Sequence, residues 1–188
     1  MSITAEEKVA YFQEELDRIY DHKIREFARL CLIYSPDYLY IDCPSSSGGK
    51  YHPIDELSPD GTIIHIKKVF TMAYEIVKGL DCESSRDIVV TAALVHDLRK
   101  KGPDNRTGHT LKDHPAHAAK LVDEVQEATQ LLTEKQYHML RNCVGYHYGP
   151  WGEEPWKKPM DTYTLEELAL YISDFVVSKR FIKTDYRR

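Results

Sequence analysis

The sequence has no run of about 18 apolar residues, the length needed to cross a bilayer, so no membrane span is expected. It has no CxxC pair. Cys31, Cys43, Cys82 and Cys143 stand apart, which argues against a thiolate zinc knuckle and fits a reducing compartment. The opening MSITAEEKVAYFQEELDRIY lacks the basic start and apolar stretch of a signal peptide, and a cytoplasmic location is expected. Positive charge is not in excess: 25 Lys and Arg face 30 Asp and Glu, a formal net charge of -5. No global field therefore draws the chain to nucleic acid, although a local basic groove stays open. The GxxxxGK[ST] spacing of a P-loop is missing, as are repeats and low-complexity tracts.

What is present is a chain of 188 residues, 42% hydrophobic and 29% charged, enough for one globular domain with a small extension. Thr4 followed by Glu7 reads as a capping box, and the apolar spacing after it predicts one helix over about residues 5–31. Residues 35–61, rich in Pro, Ser, Gly and Asp, form a long irregular segment of the kind that often carries function. YLYI within it is a candidate isolated strand. From residue 62 the pattern is helical: a stripe from Ile66 to Leu80, then DIVVTAALVHDL capped by Ser84, then HPAHAAKLVDEVQEAT behind Asp113. Thr133 with Gln136 and Thr164 with Glu167 cap two more helices, separated by the Pro/Trp/Gly-rich loop GPWGEEPWKKPMD. The expected fold class is all-α.

The chemistry lies in which histidines share a face with apolar residues. His65 does so with Val69, Met72 and Ala73, His96 with Val89, Ala92 and Ala93, and His114 with Ala118, Leu121 and Val125. His147 follows Val144 and Leu140, and Asp174 is flanked by Leu170, Tyr171 and Val177. Five helices thus each aim a ligand-type residue inward, and Asp97 is a sixth. A lone imidazole on an apolar face is ordinarily a hydrogen-bonded core residue. Six such groups in one small core are hard to satisfy without a cation. Imidazole with carboxylate suits one or two divalent ions of Fe, Mn, Co, Ni or Zn. His22, His109, His117 and His138 lie on polar or mixed surroundings and are read as non-ligands.

The order His, His-Asp, His, His, Asp in HIKKVFTMA, AALVHDLRKK, DHPAHAAKLV, GYHYG and YISDFVVSKR resembles the HD-domain metalloproteins over roughly residues 62–182. The resemblance implies a helical bundle around a metal site. The N-terminal helix and Ser/Gly-rich loop, residues 1–61, would pack on an HD domain of residues 62–188, one structural unit in all. The minimal ligand set would be His65, His96, Asp97 and Asp174, and His114 with His147 match the two further histidines of dinuclear members. The GYP motif of cyclic-dinucleotide phosphodiesterases is absent. Lys100 stands where single-metal deoxynucleotide monophosphatases have Glu. The implied activity is hydrolysis of a phosphate ester or anhydride by a water held between two metals bridged by Asp97, with Lys100 on the substrate phosphate. Ser46, Ser47, Lys50 and His52, in or beside SSSGGK, are candidate phosphate contacts, as is Arg180. Trp151 and Trp156 either stack a base or cap the core. The net charge favours a small, nucleotide-like substrate. The alternatives are a nuclease on single strands, whose groove would use Arg99, Lys100, Lys101, Lys157 and Lys158, a di-iron oxygenase, or a binding module with a degenerate site. The sequence leaves the oligomeric state undetermined.

Overall fold

Apolar residues recurring at three- and four-residue intervals build helices here. The computed structural model describes residues 2–46, 49–80, 82–105 and 108–183, among which there is no strand. The helices are α1 (Ala5–Ala10), α2 (Gln13–Asp17), α3 (His22–Ile33), α4 (Tyr38–Ile41), α5 (Gly61–Gly79), α6 (Arg86–Val95), α7 (His114–Thr129), α8 (Glu134–Tyr146) and α9 (Leu165–Val177). Single 3-10 turns occur at Ile54–Leu57, Glu83–Ser85, Gly149–Trp151 and Met160–Thr162.

The long helix α5 is central. It buries Ile66, Val69, Phe70, Ala73 and Val77 completely and packs on α6 and α9. The α7–α8 hairpin is pinned at its turn by Gln126, whose amide donates to the Leu132 carbonyl (2.9 Å) and accepts from its N–H (3.2 Å). α8 lies on α6 and α9, and α3 covers α6 and α7. Phe27, Phe70, Leu94, Leu98, Leu121, Leu140 and Leu170 interlock in the core. Each such side chain contributes about 1.5–3 kcal/mol by leaving water. Gly145 is required where α8 meets the loop after it, because a Cβ there would stand 1.9 Å from the Trp156 ring.

Capping boxes form at Thr4, Thr133 and Thr164. Several boundaries differ from the sequence expectation. The predicted helix over 5–31 is three helices. Asp21 ends the run, because its carboxylate accepts from the N–H groups of Lys23 and Ile24 and so starts α3 afresh. YLYI is not a strand but the short helix α4, with Leu39 and Tyr40 buried. Ser84 does not cap α6: a 3-10 turn precedes the helix, and the N-cap residue, Ser85, donates its hydroxyl to Glu166 instead. α6 stops at Val95 and α9 at Val177, earlier than the apolar pattern suggested.

The irregular segment before α5 is tied down. Backbone bonds join Cys43 N–H to Pro59 O (2.7 Å), Ser45 N–H to Glu56 O (2.8 Å) and Thr62 N–H to Cys43 O (2.8 Å). Tyr38 reaches across the molecule, donating to Gly102 O (2.8 Å) and accepting from Lys101 N–H (2.9 Å). The N-terminal third therefore grips the turn that follows α6.

Candidate metal centre

Helix ends, more than helix faces, build the centre. His96 is the C-cap of α6 with Asp97 next to it, His147 is the C-cap of α8, and His114 is the first residue of α7. His65 lies in the second turn of α5 and Asp174 in the last turn of α9. These side chains turn inward, and the sequence also set His114 behind Asp113 at the start of its helix and His96 near the end of DIVVTAALVHDL, although α6 stops at Val95 and not at Leu98. A helix C-terminus leaves backbone carbonyls without intrahelical partners. His96 donates Nδ1–H to Ala93 O (2.7 Å) and His147 to Val144 O (2.6 Å), while His114 donates to Leu111 O in the turn before α7 (2.8 Å). Each of these imidazoles is held with its Nε2 lone pair turned to a common centre.

Asp97 stands in the middle. Its Oδ2 lies 3.6 Å from His96 Nε2 and 3.8 Å from His65 Nε2, while Oδ1 lies 3.4 Å from His114 Nε2 and 4.0 Å from His147 Nε2. One carboxylate thus faces two pairs of imidazoles with different oxygens. Asp174 Oδ1 is 3.0 Å from His65 Nε2. Four overlapping triads result: His65, His96, Asp97; His96, His147, Asp174; Asp97, His114, His147; and, sharing only His65 with them, His52, Glu56, His65. Within each, ligand atoms lie within 4.8 Å of one another.

The donor set fits divalent cations. His96 Nε2 and Asp97 Oδ1 are buried and have no hydrogen-bond partner among the described residues. Such atoms are costly to leave unsatisfied. His114 Nε2 and His147 Nε2 lie 3.1 Å apart although both rings already donate from Nδ1, so two lone pairs face each other. Burial, ahead of neighbouring charges, pushes His96 down to about 4 and His114 down to about 3, which keeps both neutral and ready to ligate. Burial opposes charge on Asp97 as well, but Lys100 and the surrounding imidazoles outweigh it and hold the carboxyl below its usual range. Lys100 Nζ is 2.6 Å from Asp97 Oδ2; burial disfavours its ammonium, and Asp97 reverses that and raises its pKa. At His65 burial is overcome by the carboxylates of Asp174 and Glu56, and the ring rises to about 9.

Glu56 is the residue that sequence reasoning missed. It is fully buried, accepting from His65 Nδ1 (3.1 Å), His52 Nδ1 (2.8 Å) and Lys68 Nζ (3.0 Å). In an irregular segment no periodicity marks an inward position, so IDELSPDG carried no signal for it.

A cavity of about 550 Å³ opens over the centre, within the range of small-ligand sites. Asp97, His114, His147 and Asp174 form its floor, with Lys100 and Lys179 at its side. Ser45, Ser46 and His52 line it. Lys50 does not: it is exposed, over the Tyr51 ring. Ser47 lies outside the described residues. Arg180 is exposed, and its neighbour Lys179 lines the cavity instead. Trp156 is buried beneath Tyr146 and so caps the core, whereas Trp151 is 51% exposed at the cavity, parallel to Phe175 at 5.9 Å. His22, His109 and His138 are exposed, and His117 pairs with Asp113 (3.5 Å). Of the basic residues expected in a nuclease groove, Arg99, Lys101 and Lys158 turn to Glu124, the Asp42 carbonyl and Glu167, whereas Lys157 is exposed and Lys100 lines the cavity.

No curated protein and no solved structure matches the chain at the level of significant similarity. A family model described as HD domain matches residues 62–176, a span that holds all six histidines and aspartates around the centre. The chain belongs to the HD-domain family, whose members are in general metal-dependent hydrolases.

Proposed function

We propose that the protein is a phosphohydrolase that cleaves a phosphate ester or anhydride of a small, nucleotide-like substrate in the cavity over the His/Asp cluster. The observation that carries the reading is Asp97, whose two oxygens face separate imidazole pairs as a bridging carboxylate does. His65, His96 and Asp174 complete one cation position, and His114 and His147 the other, with Fe, Mn, Co, Ni and Zn all compatible with these donors. Cations held there supply Lewis acidity and an acidified water at neutral pH.

The chain's own groups do the rest. Lys100, which neutralises Asp97 in this structure, turns to a phosphoryl oxygen once that carboxylate is otherwise compensated. Ser45 Oγ is buried at the cavity without a hydrogen-bond partner among the described residues, and with Ser46 it offers hydroxyls to the phosphate. Lys179 adds a second cation at the cavity side. The Trp151–Phe175 pair presents exposed ring surface on which a planar base can stack, and the inward pairing of Arg99, Lys101 and Lys158 favours a small substrate over a strand of nucleic acid.

Metal analysis of the purified protein, followed by a phosphate-release screen over nucleotides and simple phosphate esters, tests the reading. Bound metal and phosphate release, both lost in Asp97→Ala, are expected. Activity surviving His96→Ala or Asp97→Ala would remove it. Bound iron with oxygen uptake and no phosphate release would replace it with the di-iron oxygenase alternative.

A further inference from the structure

His65 differs from the other three imidazoles around Asp97. His96, His114 and His147 each find a backbone carbonyl three residues back for Nδ1–H, so each is oriented by its own local turn. His65 lies inside α5, where the preceding carbonyls are engaged in the helix ladder. Its Nδ1–H goes to a carboxylate from another segment, Glu56 Oε2 at 3.1 Å.

We infer that Glu56 is a positioning residue of the metal centre, acting through His65, and that the turn of residues 53–61, tied to Cys43 and Ser45, is folded to deliver it. The inference rests on reading the cluster as a metal centre and is independent of which bond is cleaved. Three observations converge on it. Glu56 is fully buried, and Lys68, one turn along α5 from His65, donates to its other oxygen (3.0 Å), so the carboxylate stays anionic in the interior. Its backbone is fixed: Glu56 N–H donates to Pro53 O (3.1 Å) and Glu56 O accepts from Ser45 N–H (2.8 Å). The turn also lies so close to the start of α5 that a Cβ at Gly61 would stand 2.0 Å from Glu56 O. An anionic acceptor on Nδ1 fixes the ring, keeps the Nε2 lone pair available and raises its basicity as a ligand. If Glu56 were only the ion-pair partner of Lys68, changing it would alter stability and leave the metal untouched.

The test compares full-length wild type with Glu56→Gln, both stripped of metal and titrated with Co2+ while the visible absorption is recorded. The substitution keeps the shape of the side chain but not its charge. Weaker binding of one Co2+ equivalent, by about 10- to 100-fold, with an altered ligand-field spectrum is expected. Equal affinity with an unchanged spectrum overturns the inference, whatever happens to stability. Should Glu56→Gln fail to fold, imidazole nitrogen NMR of the wild type loaded with Zn2+ settles the same point. His65 is expected to carry its proton on Nδ1, shifted downfield by the carboxylate; a proton on Nε2 overturns the inference. A wild type that takes up no Co2+ overturns it together with the metal-centre reading. Metal binding that is identical in the two proteins sinks the inference alone and leaves the proposed hydrolysis standing.

Discussion

In the proposed reading Asp97 is a single side chain shared by two cation positions, and its replacement is expected to be felt at both. Asp97→Asn retains the shape but removes the charge and one of the oxygens facing an imidazole pair, so metal content measured after dialysis should fall at both positions together. His114→Ala should empty one position and spare the other. The protonation of His65 leads to a further expectation. With Asp174 and Glu56 holding it at about 9, the metal-free protein at pH 7 carries a proton on that ring, and a cation that takes Nε2 must displace it. Metal added to the stripped protein in weak buffer should therefore release a proton from His65, and about one proton fewer should be released if His65 is replaced by Gln. At the rim of the cavity, Trp151→Ala removes an exposed stacking surface. Stacking is worth about 1–3 kcal/mol per base, so KM for a nucleotide is expected to rise by about five- to 150-fold with kcat little changed. An unaltered KM would retire the aromatic shelf as a base contact.

At the scale of elements, the centre depends on where helices stop. α6 and α8 end at Val95 and Tyr146, and the carbonyls left free at those ends orient His96 and His147. The sequence made the inward direction of these residues legible through their spacing from Ala92, Ala93 and Val144. It did not reveal the termination, because His96 and Asp97 continue an apolar pattern that runs on to Leu98. The turns that follow α6 are held from outside by Tyr38, a contact across more than sixty residues. The capping boxes were legible because both partners lie within four residues of each other. Thr164→Ala removes the hydroxyl that accepts from Glu167 N–H at the start of α9, the helix that carries Asp174. It should cost about 1 kcal/mol, read as a fall of about 2–4 °C in melting temperature with metal binding retained.

For the whole molecule, the buried imidazoles make stability depend on pH and on metal. Burial keeps His96 neutral down to about 4 and His114 down to about 3, whereas the unfolded chain takes up protons below the ordinary value of 6.5. The unfolded state then binds more protons, so the metal-free protein loses stability as pH falls below 6.5. His65 works in the opposite sense. Its raised value gives a contribution that is full below 6.5 and is lost as pH rises through about 9. The melting temperature of the stripped protein should accordingly peak near 6.5, and metal should raise it across the range and flatten the alkaline limb. A melting temperature indifferent to metal at saturating concentration would contradict a centre built into the fold.

Among these features, the amino-acid order by itself determined the helical class, the capping boxes and the ligand-type residues on inward faces. Each of these is a local matter of spacing along a 3.6-residue repeat. Only the tertiary structure decided which oxygen of Asp97 meets which imidazole, that Lys179 and not Arg180 reaches the cavity, and that Glu56 lies beneath His65. Those relations join segments tens of residues apart through irregular chain, where no periodicity records which side chains point inward and only packing selects them.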